Sequence, residues 1–138
     1  MKEFDYAGIV KLIQDRLWNN GELDLVERHY DKDCILHATS GDLKGAEAIR
    51  NAVVEIRASF PDWHEKLEDI FASGNKVCFR HTSTGTHQGT FMGYAATGNR
   101  VEVREIGIVL FRKEKVVEHW AMFDLLGWLT QMGAKVNR

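Results

Sequence analysis

A single proline, Pro61, interrupts the 138 residues of this chain, and cysteine occurs only twice, at Cys34 and Cys78. The two cysteines lie in separate segments and make no metal-binding spacing. They read as reduced, half-buried packing residues of a cytoplasmic protein, the alternative being a disulfide between them. No cluster of Lys or Arg stands out and the formal net charge is -2, so the footprint of a nucleic-acid binder is missing, as is a polybasic membrane patch. No apolar run approaches the roughly 18 residues that span a bilayer. The charged start, Met1-Lys2-Glu3-Phe4-Asp5-Tyr6, has no apolar core of a secretory signal. There is no G-x-S-x-G, no phosphate-cradling glycine loop and no dinucleotide fingerprint. Cys78, between Val77 and Phe79, has nothing nearby to lower its pKa, which argues against covalent catalysis.

What is present is an ordinary globular composition, 44% hydrophobic and 28% charged, in a length that fits one domain, 1–138, with a real core. Ile9, Leu12, Ile13 and Leu17 recur at helical spacing before Asn20-Gly21. Leu23, Val26 and Tyr30 share one face of a second short helix. Cys34 to Ala38 is a brief strand-like run closed by Ser40-Gly41-Asp42. A third helix, about 45–59, carries Ile49, Val53, Ile56 and Phe60 on one side. After Pro61 the texture changes to segments rich in Val, Ile, Thr and Phe, near 64–73, 76–87, 100–112 and 115–124. Helices first and a strand meander second predict an α+β domain with helices packed on one face of a sheet. Nothing repeats internally and no linker divides the chain.

Asp124 is the most informative residue of this pattern. It follows the last strand and precedes a short helix, in the company of Trp120, Met122, Phe123, Leu125, Leu126 and Trp128. Desolvation there raises a carboxyl pKa and suits the group to general acid/base work. The competing reading makes Asp124 the N-cap of the helix that follows, and the two roles are compatible. A hairpin turning at Lys113-Glu114 sets Asp124 opposite Val103, Met122 opposite Glu105 and Trp120 opposite Gly107. Alternation then gathers Glu105, Trp120, Met122 and Asp124 on one apolar face. A slip of one residue moves Glu105 to the other face.

The stretch Arg80-His81-Thr82-Ser83-Thr84-Gly85-Thr86-His87-Gln88-Gly89, followed by Phe91-Met92-Gly93-Tyr94, Thr97-Gly98-Asn99-Arg100-Val101, Val117-Glu118-His119-Trp120, Asp124 and Leu129-Thr130-Gln131-Met132-Gly133, resembles the SnoaL-like polyketide cyclase and ester cyclase family of the nuclear-transport-factor-2-like superfamily. Phe60-Pro61-Asp62, Gly74-Asn75-Lys76-Val77 and the Asp33/His37 pair match as well. The resemblance implies a conical α+β barrel, a curved, mostly antiparallel sheet wrapped around three N-terminal helices. It further implies a deep pocket between helices and sheet, and homodimerisation through the outer sheet face. In characterised members an Asp matching Asp124 is the general acid/base of an intramolecular aldol condensation on a polycyclic aromatic methyl ester, without metal or organic cofactor. That favours chemistry over capping for Asp124. Two features depart from the pattern: Lys113-Glu114-Lys115 replaces a glycine-containing turn, and Glu105 stands where a smaller or neutral residue is expected.

The other candidates fall around that centre. His37, near the expected pocket mouth, either binds a carbonyl and shuttles a proton or is a satisfied histidine beside the pocket. His81 has the strand parity of Val77 and Phe79 and faces the interior. His119 has the opposite parity to Asp124 and is expected on the outer or dimer face. Trp18, Trp120 and Met122 are expected to line the pocket, with Phe91 and Tyr94 in a lid formed by the glycine-rich segment 88–99. The histidines show no metal-ligand spacing, so no metal is expected. The expectation is a cofactor-free cyclase or isomerase acting on a small hydrophobic carbonyl compound. In it Asp124 moves protons, and Glu105 or His37 tunes it or orients the substrate. The alternatives are a hydrolase activating water on an epoxide or ester, and a non-catalytic binding module for a small hydrophobic molecule.

Overall fold

A computed structural model describes residues 4–135, which leaves the extreme N-terminal Met1-Lys2-Glu3 outside the described residues. The predicted first helix runs from α1, Tyr6–Leu12, straight into a π-helical continuation, Ile13–Trp18. Asp5 starts it by accepting a hydrogen bond from the Gly8 amide, a side-chain N-cap. The π segment ends with the Asn19 amide donating to the Gln14 carbonyl at 3.0 Å, a five-residue step that widens the turn and re-aims the side chains after it. Helix α2, Asp24–His29, passes without a loop into β1, Tyr30–Ala38. Helix α3, Ala46–Ser59, buries Ile49 and Val53, the stripe its spacing predicts.

Strands β3, His64–Ser73, β4, Lys76–Thr86, β5, Arg100–Arg112, and β6, Lys115–Phe123, fall where the β-rich segments were expected. A further short strand, β2, Gly41–Lys44, pairs antiparallel with β1. Helix α4, Leu125–Gln131, follows β6. The six strands form one mixed sheet in the order β2-β1-β6-β5-β4-β3, in which β1 and β6 run parallel and the remaining neighbours antiparallel. The sheet is curved and not closed, with β2 and β3 as its edges. The helices pack on its concave side, where Val10, Leu17, Leu25, Ile49 and Val53 meet Val77, Phe79, Val109 and Phe111. A second, aromatic cluster of Phe60, Trp63, Phe91 and Trp128 sits towards α4. Among the described residues no helix is long and apolar enough to cross a membrane.

The register of β5 and β6 differs from the expected one. Arg112 pairs with Lys115 and Phe111 with Val116, but the next pair is Leu110 with Glu118, so Val117 is an inserted residue. Such a bulge turns every later side chain of its strand to the opposite face. Glu105 therefore pairs with Phe123, Gly107 with Ala121 and Val109 with His119, while Trp120 and Met122 join Ile108 and Ile106.

Candidate active site

The concave face and the helices enclose a cavity of about 510 Å³, within the range that holds a small organic ligand. Its wall is mostly apolar, with Trp18 from the π segment, Ile56 from α3, Trp63, Phe79, Phe91 and Trp128 among the larger contributors. The lining also includes Gln14, Tyr30, Glu65, Ser83, His81, Glu105 and His119. No lysine or arginine is among the residues that line it.

The polar centre is built from adjacent strands. His81 on β4 pairs directly across from Glu105 on β5 and from Leu67 on β3. Its ring Nε2 lies 3.1 Å from Glu105 Oε2 and 3.8 Å from Glu65 Oε1, and its Nδ1 lies 3.2 Å from Ser83 Oγ. Glu65 is held in place from two sides. Trp63 Nε1 donates to Glu65 Oε2 at 3.1 Å. The side-chain amide of Asn19, delivered by the π turn, donates to the Glu65 carbonyl at 3.0 Å and accepts from the Glu65 amide at 2.7 Å.

Burial alone would lower the pKa of His81, but the hydrogen bond to Glu105 and the charges of Glu65 and Glu105 outweigh it and take the imidazole up to about 9. Burial raises Glu65, and the nearby charge of Glu105 adds to that, while His81 pulls the other way. The cluster thus holds a proton on His81 at neutral pH and a desolvated carboxyl beside it. Carboxyls displaced upward in this manner are suited to taking protons from weakly acidic carbon.

His119 shares the concave wall. Phe79 lies between the two histidines, its ring parallel to His81 with 5.4 Å between centroids and edge-on to His119 at 5.8 Å. Burial, the dominant effect, lowers His119 to about 4, so one wall presents a protonated and a neutral imidazole. The Nε2 of His119 is buried without a hydrogen-bond partner.

Several expected site residues stand elsewhere. Asp124 is exposed and does not line the cavity; its carboxylate accepts the Gly127 amide at 2.8 Å as the N-cap of α4. The desolvated-acid reading fails because the chain leaves the sheet at Phe123 and turns its next side chain to water. His37 is also outside the cavity, bonded to Glu118 at 2.6 Å and Asp42 at 3.2 Å and stacked on Trp120. Trp120 and Met122 face outward because of the Val117 bulge, and Met122 is 55% exposed. Conversely His119, expected outside, is inside for the same reason.

Trp18, His81, Phe91 and Glu105 do line the cavity. Tyr94 packs behind the rim in the aromatic cluster and makes a tight turn with Phe91, each amide donating to the other's carbonyl. Positive φ at Met92 and Gly93 identifies that turn as the mirror-image type that needs a glycine or a strained residue. Glu65 and Trp128 line the cavity without having been singled out by the sequence pattern, and Trp63, an aromatic weighed between slot and ordinary core, lines it too. For Glu65 a signal existed: Trp63, Glu65 and Leu67 alternate, which places a carboxylate on an otherwise apolar face.

Comparison with known proteins agrees with this architecture. A family model of SnoaL-like polyketide cyclases matches residues 9–132. Among solved structures, IdmH of Streptomyces antibioticus, a candidate polyketide cyclase, is 26% identical with a TM-score of 0.81, over 95% of this chain and 100% of that one. AclR of Streptomyces galilaeus, a candidate hydroxylase, is 27% identical with a TM-score of 0.82, over 94% and 96%. A candidate SnoaL-like polyketide cyclase from Jannaschia sp. CCS1 is 19% identical with a TM-score of 0.86, over 99% of each chain, a likeness of fold. No curated protein matches the chain.

Proposed function

Because the chain belongs to the SnoaL-like polyketide cyclase family, we propose that it is a cyclase- or isomerase-type enzyme in which His81, Glu65 and Glu105 carry the proton transfers first ascribed to Asp124. The observation that carries this reading is one ion-paired cluster, His81 with Glu105 at 3.1 Å and Glu65 at 3.8 Å, set into the wall of a largely apolar cavity. The substrate is an uncharged, hydrophobic carbonyl compound. A cavity wall that among the described residues has no lysine or arginine but three glutamates, Glu55, Glu65 and Glu105, repels an anion, and the aromatic lining favours a flat ring system.

Glu65 takes the proton from carbon alpha to the carbonyl. Protonated His81 stabilises the negative charge that develops and returns a proton to it. Trp63 and Asn19 hold Glu65 in register with β4. Nothing in this scheme calls for a metal or an organic cofactor.

The test is solvent deuterium exchange at the carbon alpha to the ketone of α-tetralone, followed by NMR in D2O. The enzyme is expected to accelerate exchange, and Glu65→Gln and Glu105→Gln each to slow it by about 10²-fold or more. Equal exchange with and without wild-type protein, or full rate in both variants, overturns the assignment.

We further propose a second copy of the chain as the partner of the outer sheet face. Ile106 and Met122 are cross-strand neighbours there and 58% and 55% exposed, next to Ile108 at 40%. A contiguous apolar stripe of that kind at the centre of a sheet favours burial against another copy.

A further inference from the structure

His119 is a polar side chain of the concave wall that the scheme above leaves unused. Among the described residues it makes no side-chain hydrogen bond, and its Nε2 is buried without a partner. His81, by contrast, is satisfied at both ring nitrogens. A buried polar nitrogen with no partner costs on the order of 1–3 kcal/mol, and in a cavity wall, unlike at His87, whose Nε2 is also unpartnered but which does not line the cavity, a bound compound can supply the missing partner. The indole Nε1 of Trp128, another cavity-lining residue, is buried and unpartnered in the same way. The backbone fixes the His119 ring at one end of the wall: it pairs with Val109, beyond Gly107, and Phe79 separates it from His81.

We propose that His119 is a carbonyl-binding residue, its imidazole hydrogen-bonding a second oxygen of the bound compound, on the far side of Phe79 from the oxygen that the His81–Glu105 pair serves. The inference rests on the reading of the cavity as a site for an uncharged carbonyl compound, and it sharpens the ligand's description. Such a ligand is flat enough to lie along Phe79 and carries a neutral oxygen acceptor at its His119 end. Burial keeps His119 neutral down to about pH 4, so the contact is a hydrogen bond to a ketone or ester oxygen and not a pairing with a carboxylate. A neutral imidazole there polarises a carbonyl without adding charge next to the cationic His81.

Two probes of nearly equal shape separate this contact from packing: α-tetralone, a bicyclic ketone whose single oxygen meets His119 in one orientation and His81, for exchange, in the other, and tetralin, the hydrocarbon without the oxygen. Each is titrated into the full chain, with affinity read from backbone amide shifts and the contact itself from the imidazole ¹⁵N shifts of His119. Wild type is expected to bind tetralone about tenfold more tightly than tetralin, with the His119 ring nitrogens shifting for the ketone alone. His119→Phe keeps tetralin binding, which certifies a folded cavity, and loses the part of the ketone preference that His81 does not supply; His119→Gln restores some of it. Equal affinities of wild type for the two probes, an unchanged preference in His119→Phe, or ring nitrogens that ignore the ketone each overturn the role of His119. Failure of both probes to bind at millimolar concentration overturns the cavity reading along with it. Loss of deuterium exchange with the ketone preference intact sinks the proton-transfer scheme and leaves His119 standing.

Discussion

The ring of Phe79 occupies the space a side chain at Gly107 would need: a Cβ there would lie 2.5 Å from Phe79 Cζ and 2.8 Å from the Trp120 carbonyl oxygen. Gly107 is the cross-strand partner of Phe79 on β4 and of Ala121 on β6. Its missing side chain lets Phe79 lie between His81 and His119. Gly107→Ala is expected to cost about 1–3 kcal/mol in urea unfolding, as overpacked cores do. It should also disturb the ring stacking, seen as altered chemical shifts of His81. A variant as stable as wild type, with His81 unmoved, would show that the sheet yields at this point.

The protonation of His81 depends on its carboxylate neighbours. With the hydrogen bond and charge of Glu105 removed, Glu65 remains the nearby anion while burial still disfavours the cation. Glu105→Gln should therefore lower the His81 pKa by more than one unit from about 9, measured by NMR titration of the ring. A pKa unmoved by this substitution would assign the shift to Glu65 alone.

The order of elements was legible where side chains repeat with a clear period. Ile49 and Val53 mark α3, and the boundaries of β3 and β5 follow the Val, Ile and Phe alternation ended by Gly74-Asn75 and Lys113-Glu114. The short β2 was not legible, since Gly41-Asp42-Leu43-Lys44 has turn composition and pairs only because β1 offers an edge. The faces of β6 were lost to the bulge. Val116 and Val117 are identical in chemistry, so alternation cannot say which is inserted, and one residue decides whether His119 or Trp120 meets the cavity. Glu65 required knowing that β3 and β4 bring it within 3.8 Å of His81, a relation of topology and not of spacing.

Asp124 shows how apolar neighbours in sequence mislead. Leu126, two residues on, is 61% exposed, while Trp128 is buried, so the local run of hydrophobic residues does not enclose the carboxylate. As an N-cap, Asp124→Ala should cost about 0.5–2 kcal/mol, and Asp124→Asn only a few tenths because Asn caps nearly as well. Both variants are expected to keep α-tetralone exchange within about twofold of wild type. A large loss of exchange in the well-folded Asn variant would return Asp124 to the chemistry.

Stability should respond to pH through the two histidines with opposite sign. The folded-state pKa of His119, about 4, lies below its unfolded value near 6.5, so its contribution is present above about pH 6.5 and lost as pH falls towards 4. That of His81, about 9, lies above, so its contribution is full below about pH 6.5 and lost as pH rises through 9. At 1.36 kcal/mol per pKa unit, and allowing for the partial openness of the cavity, each limb amounts to roughly 2–3 kcal/mol. Unfolding free energy measured across pH 4–9 should therefore peak near neutrality, and His119→Phe should flatten the acid limb while leaving the alkaline one. An acid limb unchanged in that variant would place the acid-labile group elsewhere.

Self-association is the remaining expectation, and it follows from the same bulge that brings His119 inside. By turning Trp120 and Met122 outward, Val117 aligns them with Ile108 and Ile106 on the convex face. Burying one such side chain contributes about 1.5–3 kcal/mol, and replacing it with a charge reverses the sign at a symmetric contact, where it appears twice. Ile106→Glu should thus weaken a dimer at least 100-fold, read as halved mass in sedimentation or size-exclusion measurements at micromolar concentration. The cavity lies on the other side of the sheet, so tetralin affinity should stay unchanged in the monomeric variant. A wild-type chain that sediments as a monomer at millimolar concentration would leave that stripe to a different partner.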